Sequence, residues 1–476
     1  MKKNYIIIML VLAISCLCAC KKFLDVKPED KVLETELFAT KAGINSVLNG
    51  LYIDLASNSL YGENLTLSTV DILAQRYNVA DKHNLNKIGT YSYNESVFVN
   101  RLDGIWKQSY GIILNTNIFL KNLDKYKGVL DDRTERIYMG EAYAMRAFLH
   151  FDLLRLFGPR YDTADSTKES LPYNESDKTI VNPLLPANEF IQKVIDDLNK
   201  AEELLQQDDI VTNGVKIPRS EDKIDFLRDS RNYRLNYYAV KGLKARVFLY
   251  RKDKENALKS AKEVIAAANI FPWTTSVNVL NEKQNPDRVF STEMLFGIMN
   301  TQLYDNYLRL FDPALTDQEI LAPVMSRIAA VYESNENDYR YNLNWNTPTS
   351  GLKQYRTFIK YADIVDKTKS FRYTIPLLKI SEIYLIAAES ESVVANSISF
   401  INTVRVNRGL TNLANNANTN TELQKEYQKD FPGEGQLFYF YKRRNITSIP
   451  NGSSAGGNVN VNYNIPLPDS ETFYRQ

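Results

Sequence analysis

Residues 135–159 read ERIYMGEAYAMRAFLHFDLLRLFGP, and this stretch is the strongest indication of the fold class. Its apolar residues recur mostly at steps of three and four, the spacing that places them on one buried face of a helix. Gly158 and Pro159 follow directly, and both residue types commonly end helices. We therefore predict a long helix over residues 135–157. The apolar positions that define it are Ala142, Met145, Ala147, Phe148, Phe151, Leu154 and Leu156.

The same period continues on both sides of this stretch, so the chain is predicted to be mainly α. Residues 105–123 and 186–205 each carry one apolar stripe of helical spacing. Further helices are predicted over four more ranges, namely residues 236–250, 254–268, 376–391 and 395–408.

Two of these predicted helices form a pair that resembles a tetratricopeptide unit. Ala245, Ala257 and Ala261 occupy positions where small side chains let two antiparallel helices approach closely. The later pair carries Ala387 and Ala388 at its predicted crossing. We predict a scaffold of stacked helix pairs within one large domain, residues 20–476. Four unrelated amphipathic helices are the alternative.

Polar, aromatic stretches separate the predicted helices. They are rich in Asn, Asp, Tyr, Thr and Gly, which favour turns and irregular loops, and loops this long are usually functional. Short strands are expected at residues 291–299 and 357–361. The expected loops are residues 76–99, 161–182, 271–287, 299–312, 332–354 and 414–464.

Composition excludes several classes of function. The chain has 58 basic and 57 acidic side chains, so it lacks the basic excess of a nucleic-acid-binding protein. Its two histidines, His83 and His150, are too few for a multi-histidine metal centre. The three cysteines all lie within the first twenty residues, which excludes disulfides and zinc–cysteine sites from the globular part. We predict no metal and no cofactor.

No catalytic motif has the structural context that it needs. Residues 452–456 match G-x-S-x-G, but they lie in an Asn/Gly-rich tract without the strand and helix of a nucleophile elbow. Glycine-rich phosphate-binding loops are absent from the sequence. We therefore predict no catalytic residue.

The N-terminus predicts export and a lipid anchor. Lys2 and Lys3 precede an apolar run over residues 5–17, the pattern of a secretory signal that is too short to span a bilayer. The following LCAC ends at Cys20 and resembles a bacterial lipobox. We predict that residues 1–19 are removed and that acylated Cys20 holds the protein on a membrane surface. An ordinary signal cut near Ala19 is the alternative.

Tyrosine is the most distinctive residue type, with 30 Tyr against 3 Trp. A tyrosine combines an apolar ring face with a hydroxyl, and a pyranose has the same division between its CH face and its hydroxyls. Aromatic residues beside amides and charges in loops therefore indicate a sugar site. The alternative is that most tyrosines pack between helices.

Several motifs occur in an order that resembles the SusD/RagB family of outer-membrane nutrient-binding lipoproteins of Bacteroidetes. Four of the polar residues in these motifs, Arg146, Asp152, Glu389 and Arg405, are expected to be buried or half-buried anchors rather than ligand contacts. The resemblance rests on CKKFLDVKP at residues 20–28, on the helix at 141–158, on the tetratricopeptide-like unit at 237–265, and on the segments at 375–389, 401–410, 425–436 and 463–468.

The resemblance implies a SusD-like fold and a role in polysaccharide utilisation. The protein would bind oligosaccharides at the cell surface and pass them to a SusC-like TonB-dependent transporter in the outer membrane, without catalysis. Two alternatives stay open, namely a peptide-binding uptake lipoprotein of the same fold and a lipid-anchored glycoside hydrolase.

The ligand-binding residues are inferred from chemistry, because ligand loops in the family are variable. Trp345 is the strongest candidate, because the surrounding YNLNWNTP offers few apolar neighbours to bury it, whereas Trp106 lies on an amphipathic helix. The predicted set is Arg76, Tyr77, Asn78, Tyr91, Tyr93, Tyr304, Asp305, Tyr307, Asn344, Trp345 and Asn346.

Overall fold

The computed structural model describes residues 29–162, 164–218, 225, 227–349, 351, 353–454 and 456–475. The predicted signal peptide and Cys20 lie outside the described residues. Helices dominate the described part and the strands are short, so the mainly α class is confirmed.

The helices alternate with long connections. In chain order they are α1 Glu29–Phe38, α2 Lys41–Leu55, α3 Thr69–Leu73, α4 Asn86–Gly89, α5 Ser96–Lys125, α6 Asp132–Phe157, α7 Ala187–Leu204, α8 Asp209–Asn213, α9 Tyr237–Tyr250, α10 Lys254–Ile265, α11 Leu303–Leu310, α12 Met325–Val331, α13 Tyr339–Asn344, α14 Ile380–Ser390, α15 Val394–Val406, α16 Thr419–Asp430, α17 Gln436–Arg443 and α18 Asp469–Thr472.

The strands form antiparallel pairs, which are β1 with β2, β3 with β6, β4 with β5, and β7 with β8. Their bounds are β1 Glu169–Pro172, β2 Leu184–Pro186, β3 Met294–Met299, β4 Trp345–Asn346, β5 Thr357–Phe358, β6 Thr374–Lys379, β7 Ser448–Pro450 and β8 Asn458–Asn460.

The long helices stack one against the next, from α5 through α6, α7, α9, α10 and α14 to α15. The two predicted helix pairs are therefore consecutive parts of one stack. Small residues permit this packing, since Ala245, Ala257 and Ala261 are completely buried. At the α6–α7 crossing a Cβ on Gly140 would lie 2.7 Å from Leu205 Cγ, so only glycine fits there.

Polar side chains fix where these helices begin. The Asp131 carboxylate accepts the Thr134 N–H at 2.9 Å and starts α6. Asn236 accepts the Ala239 N–H at 3.0 Å and starts α9. Asp253 accepts the Asn256 N–H at 3.1 Å and starts α10. None of the helices in the described ranges is both long and apolar enough to cross a bilayer.

Several predicted boundaries were wrong. Residues 374–379 form β6, and α14 begins only at Ile380, whereas one helix was predicted over residues 376–391. All six residues of β6 are buried, so its sequence lacks the alternation that distinguishes a strand. The predicted loop at 414–464 contains α16 and α17, and the loops at 299–312 and 332–354 contain α11 and α13.

A buried ionic cluster attaches α16 to the repeat stack. Asp430, fully buried at the end of α16, lies 2.8 Å from Arg408 Nε and 3.3 Å from both Arg340 Nη1 and Lys379 Nζ. Burial alone would raise the pKa of Asp430, but these three cations together hold it well below its usual value. The cluster therefore stabilises the placement of the C-terminal segment.

The four predicted polar anchors are confirmed. Arg146 forms a bidentate pair with Asp197 at 2.6 and 2.7 Å. The other pairs are Asp152 with Arg155, Glu389 with Arg443, and Arg405 with Glu426.

Candidate functional site

Three of the predicted aromatic residues meet in one cluster around Phe311 and Phe358. The Trp345 ring centroid lies 5.0 Å from that of Phe358, and the Tyr77 centroid lies 5.7 Å from that of Phe311. Tyr307 lies 6.4 Å from Phe311, and the two phenylalanines are 4.8 Å apart. Segments that are far apart in sequence thus converge on one aromatic cluster.

These rings are core residues, so the prediction that Trp345 is exposed was wrong. Trp345 is 4% exposed, and its Nε1–H donates to the Tyr332 hydroxyl at 3.1 Å. Its neighbours Phe358 and Tyr332 come from β5 and from the residue after α12, which the local sequence could not reveal. Asn344 beside it is also buried, whereas Asn346 is exposed at the end of β4.

Arg76 has a structural role. Its guanidinium donates to the carbonyl oxygens of Gln428 and Tyr427 at 2.8 and 3.2 Å, and it lies 3.3 Å from the Asp71 carboxylate. Burial raises the pKa of Asp71 to about 6, even though Arg76 opposes the shift. Arg76 therefore joins the loop after α3 to α16, while Asn78 nearby is exposed.

Tyr91 and Tyr93 lie outside the aromatic cluster. The Tyr91 hydroxyl donates to the Leu73 carbonyl at 3.0 Å, and its backbone has a φ of 55°. The Tyr93 hydroxyl donates to the Asn462 carbonyl. Both side chains thus connect parts of the backbone, and Tyr93 is buried.

Tyr304 is the exposed aromatic of the predicted set. It begins the first turn of α11 and is 36% exposed. Its ring is nearly parallel to that of Tyr307, with centroids 6.2 Å apart and an interplanar angle of 11°. Tyr307, which is buried, links it to Phe311 and the cluster. The neighbouring carboxylate of Asp305 is exposed.

The segment before β6 adds two half-buried residues that were not predicted. Arg372 donates from Nε and Nη2 to Asp363 at 2.7 and 2.8 Å, and its guanidinium lies 4.4 Å from the ring centroid of Tyr373. The hydrogen bonds from Arg372 lower the pKa of Asp363. The Tyr373 carbonyl accepts the Asn300 N–H at 2.9 Å, which brings this segment to the start of α11.

We define Tyr304, Asp305, Arg372 and Tyr373 as the Tyr304 surface. Arg372 interacts electrostatically with both tyrosines. Within the described part of the chain, Arg372 Nη1 has no hydrogen-bond partner, so its N–H groups remain available to a ligand. Asp363 holds the guanidinium in a fixed orientation.

This arrangement can recognise a sugar ring. The face of Tyr304 offers apolar contact to the CH face of a pyranose, while Arg372 can donate to a hydroxyl and Asp305 can accept from one. Phe371-Arg372-Tyr373 satisfies the same criterion, an aromatic beside a charge, that selected the other loops. It was not predicted as part of the site because it directly precedes the apolar sequence of β6.

Comparisons with known proteins agree with this fold. A sequence model for a SusD-like family, described as starch-binding and associating with the outer membrane, matches residues 22–215. A curated SusD-like protein of Formosa agariphila is 22% identical over 467 residues, covering 85% of this chain and 82% of its own length.

Solved structures give the same result. A SusD superfamily protein of Bacteroides thetaiotaomicron superposes with a TM-score of 0.69 at 20% identity, covering 91% of this chain and 98% of its own. A laminarin-binding SusD-like protein superposes with a TM-score of 0.65 at 17% identity, covering 91% of this chain and 97% of its own. The ordered motifs, the stacked helix pairs and these matches agree: the chain has a SusD-like fold, and its residues 22–215 match the sequence model of a SusD-like family.

Proposed function

We propose that this protein binds oligosaccharides at the cell surface and passes them to a SusC-like TonB-dependent transporter. It would be held on the outer membrane through acylated Cys20 and would act without catalysis. The description of the matching family, starch-binding and associating with the outer membrane, supports carbohydrate binding and the location in this proposal. The laminarin-binding structural neighbour supports a glycan as the ligand class.

The observation that carries the proposal is the Tyr304 surface. An aromatic ring that is 36% exposed stands beside an arginine held by Asp363 and beside an exposed carboxylate. Such a combination suits a ligand with apolar ring faces and many hydroxyls. Asn78 and Asn346 are further exposed members of the predicted set, and both offer amides for hydrogen bonding.

Affinity electrophoresis tests the ligand class. The mature chain is run through native gels that contain starch, laminarin or other plant, host and fungal polysaccharides, with a non-binding protein as reference. We expect retardation in at least one glycan gel and none in gels that contain immobilised peptide digests. Retardation by peptides alone would replace the glycan proposal with peptide uptake.

The absence of catalysis is tested with the same glycans. Incubation with each retarding polysaccharide, followed by reducing-end analysis, should show no new ends above the buffer control. Release of reducing ends at enzymatic rates would make the protein a glycoside hydrolase instead.

The transporter partner follows from the predicted lipid anchor. A protein held only by acyl chains cannot move a ligand across the membrane, so a channel must receive it. We expect an outer-membrane β-barrel to co-purify with the tagged protein from membranes in mild detergent. Recovery of the protein alone under several detergents would contradict this partnership.

A further inference from the structure

A large concave cleft lies away from the Tyr304 surface. It has a volume of about 1070 Å³ and lies between the N-terminal half of α5, the loop between β1 and β2, and residues 469–475. None of the eleven predicted ligand residues lines it. Sites for small ligands are typically roughly 300–1,000 Å³, so this cleft is large enough for one. We call it the α5 cleft.

The floor of the α5 cleft is aromatic and held firmly. The Trp106 ring lies 4.8 Å from Tyr110 and 5.1 Å from Phe157. The Tyr110 hydroxyl donates to the Pro172 carbonyl at 2.6 Å, which joins α5 to β1. The floor therefore forms before any ligand arrives, which lowers the entropy cost of binding.

Two further aromatic rings stand at the rim. Phe473 and Tyr474 are 69% and 70% exposed, and their centroids are 5.3 Å apart. Ile180 and Val181 line the same cleft and are also more than half exposed. Such a concentration of exposed apolar side chains is unusual on a soluble surface and marks a binding site.

The polar groups of the cleft indicate which ligand it suits. Four of its five charged side chains form pairs, Asp103 with Lys107 at 2.6 Å and Glu471 with Arg475 Nε at 2.7 Å, and the fifth, Asp469, forms no ion pair among the described residues. The side-chain amides of Asn100 and Asn182 line the cleft without a hydrogen-bond partner among the described residues. Each amide both donates and accepts, as adjacent sugar hydroxyls do. Both cations of the cleft are paired, so it disfavours an anionic ligand, while the Asp469 carboxylate can accept from the hydroxyls of an uncharged one.

We propose that the α5 cleft is a second binding site, separate from the Tyr304 surface, for a neutral oligosaccharide. The rings of Phe473 and Tyr474 contact the CH faces of sugar units, and Asn100 and Asn182 bind their hydroxyls. The glycan as ligand class rests on the proposed function, whereas the location and the neutrality of the ligand rest on the cleft itself.

Titration calorimetry of the mature chain with neutral hexasaccharides, including laminarihexaose and maltohexaose, tests the proposal. We expect two binding events in the wild type. The double variant Phe473→Ala/Tyr474→Ala should weaken one event at least tenfold, and Asn100→Ala should weaken the same event several-fold. Tyr304→Ala should leave that event unchanged. All four substituted positions are exposed, so the melting temperature serves as a check on folding.

The matched control is Ile53→Ala, which removes an apolar side chain that is 70% exposed on α2, outside the cleft. It should bind as the wild type does. If the double variant binds the hexasaccharides as the wild type does, the second site is overturned but the proposed function is not. Binding of no hexasaccharide by the wild type would overturn both. Peptide digests that, titrated in the same way, bind the wild type but not the double variant would assign the cleft to a protein segment and overturn the proposal.

Discussion

Tyr304 supplies the aromatic face of the proposed glycan site, so its ring should contribute to affinity more than its hydroxyl does. Tyr304→Ala should weaken glycan binding at this surface by about 1–2 kcal/mol, roughly tenfold. Tyr304→Phe retains the ring and should lose much less glycan affinity. Because the side chain is 36% exposed, neither variant should change the melting temperature appreciably. Equal losses in both variants would show that the hydroxyl, rather than the ring face, makes the contact.

Trp345 should behave in the opposite way. Its ring is buried against Phe358 and donates to the Tyr332 hydroxyl, so Trp345→Ala leaves a cavity and removes one of the two hydrogen bonds of that hydroxyl. We expect the free energy of unfolding to fall by about 3–5 kcal/mol in urea denaturation. Glycan affinity measured well below the melting temperature should stay close to that of the wild type. Unchanged stability with lost affinity would restore Trp345 to the ligand site.

His150 should make stability depend on pH near neutrality. It is fully buried, its Nε2 accepts the Asn174 N–H at 3.0 Å, and its Nδ1 lies 2.9 Å from the Arg146 carbonyl, to which it donates as a neutral imidazole. Burial and the nearby Arg146 charge hold the pKa of His150 well below 6.5. Near pH 6.5 the unfolded chain therefore binds a proton at His150 that the folded chain does not bind. The free energy of unfolding falls as the pH falls.

The measurement compares the wild type with His150→Gln in urea at pH 7.5 and pH 5.5. Between pH 7.5 and pH 5.5 the free energy of unfolding of the wild type should fall by about 1.4 kcal/mol more than that of the variant, because glutamine can accept the same N–H without titrating. His83→Gln provides a second histidine variant for comparison. Parallel pH profiles for the wild type and His150→Gln would contradict a neutral, buried His150.

At the scale of elements, the helices that could be predicted from the sequence are those with apolar residues at helical spacing. The predicted range 105–123 lies within α5, and 135–157 almost coincides with α6, because α5 buries one apolar face and α6 carries apolar residues at helical spacing and is buried on nearly all sides. α16 was missed because its buried positions include Glu426 and Asp430, whose burial depends on ion pairs with distant residues. No local pattern reveals such pairs.

The same ion pairs make α16 sensitive to a single substitution. Asp430→Asn would leave Arg408 and Lys379 buried with less negative charge beside them. We expect the free energy of unfolding to fall by about 3–5 kcal/mol in urea denaturation. Asp124→Asn, at an exposed ion pair with Lys127, should change it by less than about 1 kcal/mol. Equal effects of the two variants would show that the buried cluster adds little to stability.

At the scale of the whole molecule, the helical stack could be predicted from the sequence and the ligand site only in part. The criterion of an aromatic beside a polar group selected Tyr304, which is exposed, and also Tyr77 and Trp345, which are core. Local composition cannot distinguish these cases, because burial depends on rings such as Phe311 and Phe358 that other segments supply. The α5 cleft joins three distant segments and has no local signal.

Glycan binding is the central claim, and calorimetry of the mature chain tests it most directly. A panel of oligosaccharides is titrated in parallel with peptide digests, into the wild type and into Tyr304→Ala. We predict that the wild type binds at least one oligosaccharide saturably and binds no peptides. Tyr304→Ala should weaken the binding event at the Tyr304 surface roughly tenfold. Saturable binding of peptides with no response to any oligosaccharide would contradict the account.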